Sequence, residues 1–241
     1  MDAPPTAPKV AWITGAAGGL GRVLAHAFAA HGWQVAAGYH HKPFLSEQEN
    51  IWPVAVDVTR RTAVDDALQL ILERWSRLDL LVNNAGLAAD HPLWQLPEAD
   101  WDAVLDVNLK GAFLCSQAAL RPMLRQRDGQ IINIASSSGR SGQRGQAHYA
   151  AAKAGLFGLT TALAREVGSR NIRINAVLPG VLPTPMTAAL DPATLAAFAA
   201  ANTLGRINSP EEVARFIVFL ASLQNVSGQL FQLDSRIAPW S

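Results

Sequence analysis

Seven short apolar runs recur along the chain without the every-other-residue alternation of a half-exposed strand. They are KVAWITG (9–15), WQVAAGY (33–39), WPVAVDV (52–58), LDLLVNNAG (78–86), GQIINIAS (129–136), NIRINAVLPG (171–180) and GQLFQLD (228–234). Between most of them the apolar positions recur every three or four residues, as one face of a helix requires. That spacing predicts helices over 20–32, with a glycine just past the end, over 62–75, over one long stretch 98–127, around Tyr149 and Lys153, and over 209–223. Strands that are apolar on both sides are buried on both faces. The pattern therefore predicts an α/β, doubly wound, parallel seven-stranded sheet with helices on both faces. Nothing linker-like, repeated or of low complexity divides the chain, so a single domain over 1–241 is expected, with residues 1–8 as a flexible, proline-rich lead. In such a sheet the ligand lies beyond the carboxyl ends of the strands.

Composition narrows the function. The chain has 241 residues, of which 49% are apolar, enough for a sizeable core. Its formal net charge is +1, only 16% of residues are charged, and no block of like charges occurs. Nucleic acid and anionic membranes are therefore poor partners, and a small neutral or modestly anionic ligand fits better. Cys115 is the only cysteine, which excludes an intrachain disulfide and a cysteine-based metal cluster. No metal site is expected. With no charged-then-apolar leader and no apolar run near 18 residues, a soluble cytoplasmic protein is expected.

The first candidate chemistry is TGAAGGLG (14–21), set between the first strand and the first helix. Glycines there permit a tight turn and let backbone N–H groups approach a pyrophosphate at the helix N-terminus. Gly15, Gly19, Leu20 and Gly21 are the expected cofactor-binding positions. The string carries no Gly-Lys-Ser/Thr, which argues against a nucleoside-triphosphate loop. At the end of the second strand an acidic residue would bond the ribose 2′-hydroxyl and repel a 2′-phosphate. Tyr39 stands there instead, followed by His40, His41 and Lys42, which favours NADP(H) over NAD(H). Asp57, followed by Val58 at the end of the third strand, has two open readings: an acceptor for the adenine amino group, or a cap for the following helix.

Tyr149 and Lys153 are four residues apart, on one helix face. Reducing a carbonyl by hydride transfer builds negative charge on oxygen, so a proton donor and a fixed positive field are needed there. A tyrosine has an ordinary pKa near 10, and a lysine cation one turn away is expected to lower it. Ser136, thirteen residues earlier at the end of a strand, is placed to hold the substrate oxygen; Ser137 and Ser138 read as a polar turn. His148 reads either as a pocket residue or as a helix residue facing solvent.

These stretches, with NNAG (83–86), Asn108 in DVNLKG, YAAAK (149–153) and PGVLPT (179–184), resemble the short-chain dehydrogenase/reductase family over essentially the whole chain. The resemblance implies a Rossmann fold and a tetrad of Asn108, Ser136, Tyr149 and Lys153. Tyr149 would be the acid in reduction and the base in oxidation, Ser136 would orient the carbonyl, Lys153 would lower the tyrosine pKa and bond the nicotinamide ribose, and Asn108 would hold a relaying water. Asn83 would stabilise the central sheet near the adenosine, with Asn83, Ala85 and Gly86 counted among the cofactor-binding positions; Pro179, Gly180 and Thr184 would hold the carboxamide. Small residues around Tyr149 would allow helix pairing between subunits in a homotetramer or dimer, or make room for the cofactor.

Within the family the chain is most similar to 3-oxoacyl-[acyl-carrier-protein] reductases and related carbonyl reductases. Arg127 and Arg170 match positions where such reductases dock the acidic carrier protein. The segment 184–207 would form a substrate lid, and 87–97, with Trp94, another wall. The family's usual ending, an aspartate and two glycines, is replaced by Asp234, Ser235 and Arg236, and the tail with Pro239 and Trp240 would reach a neighbouring subunit or its pocket. The alternatives are an NAD-dependent alcohol dehydrogenase of the same family and a non-catalytic dinucleotide-binding regulator.

Overall fold

The computed structural model describes residues 7–185, 187–188 and 190–237. All seven strands are present and parallel, in the order β3-β2-β1-β4-β5-β6-β7. They are β1 (Val10–Ile13), β2 (Gln34–Tyr39), β3 (Ile51–Ala55), β4 (Leu80–Asn83), β5 (Gly129–Ile134), β6 (Ile172–Leu178) and β7 (Leu230–Gln232). Every residue of β1, β4, β5 and β6 is buried. That is why these strands do not alternate: neither face meets water.

One face of the sheet packs on α1 (Gly19–Ala30) and the last helix, whose buried residues join Ile13, Val82 and Ile132 in one core. The opposite face, with Ile131 and Ile174, packs on α2 (Arg61–Trp75) and on the helical stretch around Cys115 and Met123. The chain order reverses between β1 and β4, which opens a crevice at the carboxyl ends of these two strands.

The stretch 98–127 is not one continuous helix. α3 (Glu98–Leu105) runs into a five-residue π turn at Asp106–Lys110, and α4 (Gly111–Gln126) resumes beyond it. The extra residue in the π turn shifts the side-chain phase, and Asn108 enters the interior, 1% exposed. Gly111 is required just after it, because a Cβ there would lie 2.8 Å from a Val58 methyl group. The chain continues through α5 (Ser138–Ser141), α6 (Ala147–Val167), α7 (Pro192–Ala200) and α8 (Pro210–Ser222).

Local chemistry sets these last helix starts. Ser209 caps α8 by accepting from the Glu212 N–H, with Pro210 in the first turn; Asp191 caps α7 by accepting from the Thr194 N–H and hydroxyl. α7 lies within the segment expected to form the lid. Residues 1–6, most of the lead, and the tail with Pro239 and Trp240 lie outside the described residues. Among the described residues no helix is long and apolar enough to cross a membrane.

Candidate active site

The glycine turn lies between β1 and α1 and is pinned from below. The Thr14 hydroxyl accepts from the backbone N–H groups of Asn84 and Ala85, both at 3.0 Å, while Asn84 Nδ2 donates to the carbonyls of Thr14 (2.9 Å) and Gly15 (3.1 Å). Gly15 and Gly19 adopt φ of +63° and +52°, in the left-handed region. A Cβ on Gly15 would stand 2.8 Å from the Ala85 Cα. Thr14 and Asn84 were not singled out by the sequence reading; their signal was their place beside two glycine turns brought together by adjacent strands.

Gly21 is the tightest of these positions. A Cβ there would run into the Gly15 carbonyl and lie 2.5 Å from Asn84 Nδ2 and 2.9 Å from the Ala16 Cα, none of which is free to move. Gly21→Ala is therefore expected to cost at least the ~1–3 kcal/mol of an overpacked core and to disrupt the turn. A thermal melt and a dinucleotide titration of this variant check both effects, and a wild-type melting temperature with wild-type binding would contradict them.

The turn fits a dinucleotide. Gly18, the N-cap of α1, contributes no side-chain cap and the first helical turn holds no acid, so its N–H groups point outward unpaired by side chains. Thr184 lies across the turn, its side chain 3.5 Å from where a Gly19 Cβ would be. Gly180, at the turn after β6 (φ +81°), is held by Asp234, which a Cβ would meet at 2.8 Å.

At the end of β2, Tyr39 is half-buried and the rings of His40 and His41 stack with centroids 3.7 Å apart. His40 Nε2 stands 3.8 Å from Asp57 Oδ2. Asp57 Oδ1 accepts from the Thr59 N–H (3.0 Å) and hydroxyl (2.7 Å), closing the turn that leads into α2. Burial works to raise the Asp57 pKa, but the Thr59 hydrogen bonds and the His40 and Arg60 charges outweigh it and hold the carboxyl below the usual range. Val58 is buried beside it. Lys42 is exposed and forms no ion pair among the described residues.

Asn83 is buried in the sheet rather than exposed in the crevice. Its Nδ2 donates to Asn133 Oδ1 (2.8 Å) and the Ser116 hydroxyl (2.9 Å), and Asn133 Nδ2 continues to the Thr160 hydroxyl (2.9 Å). This polar chain ties β4 and β5 to α4 and α6. Its Asn133, Ser116 and Thr160 carry no motif and were not anticipated.

Beyond the ends of β4 and β5 the tetrad converges. Ser136 Oγ accepts from the Ser138 N–H at 3.1 Å, which leaves its own hydrogen to give. Lys153, 4% exposed, donates from Nζ to the Ile134 carbonyl at 2.8 Å and lies 5.5 Å from the centre of the Tyr149 ring. Asn108 Nδ2 donates to the carbonyls of Leu87 (2.8 Å) and Val104 (2.9 Å), while its buried Oδ1 has no partner among the described residues. Both groups look onto Gly86: a Cβ there would be 3.1 Å from Asn108 Oδ1 and 3.9 Å from Lys153 Nζ.

The tyrosine pKa departs from expectation. Burial pushes Tyr149 up to about 12; the Ser136 hydroxyl pulls it down and the Asp90 carboxylate pushes it further up. Burial also brings Lys153 down to about 8. Burial favours the neutral form of each group, and the anticipated lowering of the tyrosine by the lysine is not among the causes of its shift. Asp90 owes its place to Gln146, whose amide donates to both carboxylate oxygens.

His148 does not face solvent. It is fully buried, in the stripe His148, Ala152, Leu156 and Thr160 that α6 turns inward. One glycine on this helix and one on α5, which packs against it, have reasons within the chain. A Cβ on Gly155 would meet Leu109 at 2.7 Å, and one on Gly139 would meet the backbone of Ala154 at 2.6 Å. Trp94, on a short 3-10 turn at Leu93–Gln95, is 77% exposed. Arg127 and Arg170 are exposed at the amino ends of β5 and β6, the opposite edge of the sheet from Tyr149.

A doubly wound parallel sheet with a glycine turn after its first strand and a Ser-Tyr-Lys constellation beyond its central strands defines the class of dinucleotide-dependent oxidoreductases. The family model described as short chain dehydrogenase matches residues 9–194, and the chain belongs to that family. It is 42% identical over 239 residues to a 3-oxoacyl-[acyl-carrier-protein] reductase of Thermotoga maritima, covering 95% of this chain and 97% of the relative. Similar relatives of the same name occur in Synechocystis, at 39% identity over 94% of this chain and 95% of the relative, and in Escherichia coli, at 38% over 89% and 90%.

Proposed function

We propose that the protein is an NADPH-dependent reductase of 3-oxoacyl thioesters. The observation that carries this reading is the convergence of Ser136, Tyr149, Lys153 and Asn108 beside the glycine turn, joined by relatives that bear the name of such a reductase. Gly15, Gly19, Leu20 and Gly21 would cradle the pyrophosphate, Ala85 and Gly86 would line the crevice floor, and Pro179, Gly180 and Thr184 would hold the nicotinamide end. A reduced nicotinamide dinucleotide bound there supplies the hydride.

The chain's own groups manage the oxygen. The Ser136 hydroxyl, its lone pair engaged by Ser138, donates to the substrate carbonyl and fixes its direction. Tyr149, protonated at physiological pH as an ordinary tyrosine also is, is in the form that donates a proton to that oxygen. Lys153 sets the positive field behind the ring and carries the proton that replaces the one lost. Asn108 Oδ1, an unpaired acceptor facing the same space as Lys153 Nζ, suits a bridging water that passes protons inward.

The absence of an acid at Tyr39 and the basic run His40 to Lys42 support the preference for NADPH. Lys42→Ala is expected to raise the KM for NADPH about fivefold, as loss of an exposed charge contact would, and to change the KM for NADH by less than twofold. Equal effects on both cofactors would remove the 2′-phosphate from this site. A wild-type preference for NADH would favour the alcohol dehydrogenase reading.

A tetramer or dimer is consistent with Phe113 on α4, 42% exposed, and with Ala151 and Gly158, which α6 leaves open to close approach. Arg170 lies a full α6 length from Tyr149, about 30 Å at 1.5 Å per residue. A carrier protein docked on Arg127 and Arg170 would therefore serve the site of a neighbouring subunit. Comparing Arg127→Glu and Arg170→Glu on carrier-bound and free acetoacetyl thioester tests docking: only the carrier-bound substrate should lose kcat/KM. Cytoplasmic residence follows from this reading.

A further inference from the structure

We propose that Arg236 is a specificity-determining residue that recognises a second carbonyl oxygen next to the one being reduced. The inference deepens the oxoacyl thioester reading and rests on it. Arg236 stands where the family's ending has a glycine, and the structure turns it back onto the active site: Nη2 donates to the Ser137 hydroxyl at 2.7 Å, one residue from Ser136.

The guanidinium is held by Asp234, whose side chain is 2% exposed. Asp234 Oδ2 accepts from Arg236 Nε at 2.7 Å and also from Nη2, while Oδ1 accepts from Gln232 Nε2 at 2.7 Å. Asp234 in turn packs on the Gly180 turn, the nicotinamide end of the proposed site. Ser235, between the two, bonds Asn202, Thr203 and Leu204 at the root of the lid segment. The three residues thus strap the nicotinamide loop, the lid root and the loop carrying Ser136 to one another.

Planarity then decides what the arginine has left to offer. The carboxylate takes the edge formed by Nε and Nη2, and Ser137 takes the other hydrogen of Nη2, on the edge shared with Nη1. Nη1 makes no hydrogen bond to any described residue, and one of its hydrogens runs parallel to the bond that reaches Ser137. An acceptor lying beside the Ser137 hydroxyl, next to a carbonyl held by Ser136, meets that nitrogen. The arginine and its aspartate are neutral as a pair, so the matching acceptor is an uncharged carbonyl oxygen rather than a carboxylate. A 3-oxoacyl thioester has such an oxygen two carbons from its ketone; a simple ketone does not.

The test compares kcat/KM with NADPH for acetoacetyl thioester, ethyl acetoacetate and cyclohexanone in wild type, Arg236→Lys, Arg236→Gln and the double variant Asp234→Asn/Arg236→Gln. The double variant leaves no unpaired buried charge and keeps the comparison available if the single variant folds poorly. Wild type should prefer the dicarbonyl substrates, and loss of the arginine should lower that preference over cyclohexanone at least tenfold through KM, with Lys restoring part of it. An equal fall on all three substrates, or none, overturns the proposal, as does a wild type that prefers cyclohexanone. Preference for ethyl acetoacetate without thioester turnover would defeat the oxoacyl thioester reading while sustaining the role of Arg236.

Discussion

Tyr149→Phe is expected to lower kcat for carbonyl reduction by roughly 10²–10⁴-fold while leaving dinucleotide affinity within about twofold. The ring remains and continues to pack beside Lys153, but the hydroxyl assigned to give its proton to the substrate oxygen is gone. Ser136 still orients the carbonyl, so KM should move little. Stopped-flow oxidation of the reduced cofactor measures the first quantity and fluorescence titration the second. Retained turnover would mean that another group protonates the oxygen and that the tetrad has been misassigned.

Lys153→Met is expected to produce a loss of similar size with a different pH signature. In the free protein Lys153 is charged below about pH 8 and neutral above it, whereas Tyr149 holds its proton up to about pH 12. The wild-type kcat/KM for reduction should therefore be level near neutrality and fall as pH rises through about 8. That limb belongs to the lysine and should vanish in the methionine variant, since kcat/KM reports groups of the free enzyme.

Stability should move the other way. The pKa of Lys153 is depressed on folding from 10.5 to about 8, so the unfolded chain binds more protons between those values. Wild-type stability therefore rises with pH across that window, and the full penalty of the buried charge is present below it. A shift of this size corresponds to about 3 kcal/mol, against roughly 1.5–3 kcal/mol for the lost charged-group bond to the Ile134 carbonyl. The variant should be at least as stable as wild type at pH 7 in a chemical melt. A less stable variant with an unchanged alkaline limb would contradict both statements.

Much of this arrangement was legible in the sequence because it depends on local patterns. Non-alternating runs such as LDLLVNNAG and GQIINIAS mark strands buried on both faces; the glycine turn and Ser136 are suggested by their places at strand ends, and the assignment of the Tyr149–Lys153 pair comes from the order of motifs that resembles the family. What depends on tertiary packing did not show. The π turn that aims Asn108 inward leaves the apolar periodicity of 98–127 nearly intact, so a single helix was the natural reading. His148 was ambiguous because a lone histidine among alanines reveals no face; only the stripe with Ala152, Leu156 and Thr160 places it inside. The pKa of Tyr149 follows from burial, which spacing does not report. The Asp234–Arg236 strap joins residues about a hundred positions from Ser137, and only the folded chain brings them together.

The most direct test of the account is oxidation of NADPH by the purified protein at neutral pH with acetoacetyl thioester as the acceptor, alongside the same assay with NADH. Steady turnover with NADPH, several times faster than with NADH, and formation of the 3-hydroxyacyl product is the predicted result. Tight dinucleotide binding with no reduction of this thioester, of ethyl acetoacetate or of a simple ketone would contradict it, and would make the protein a dinucleotide-binding regulator that has kept the tetrad without using it.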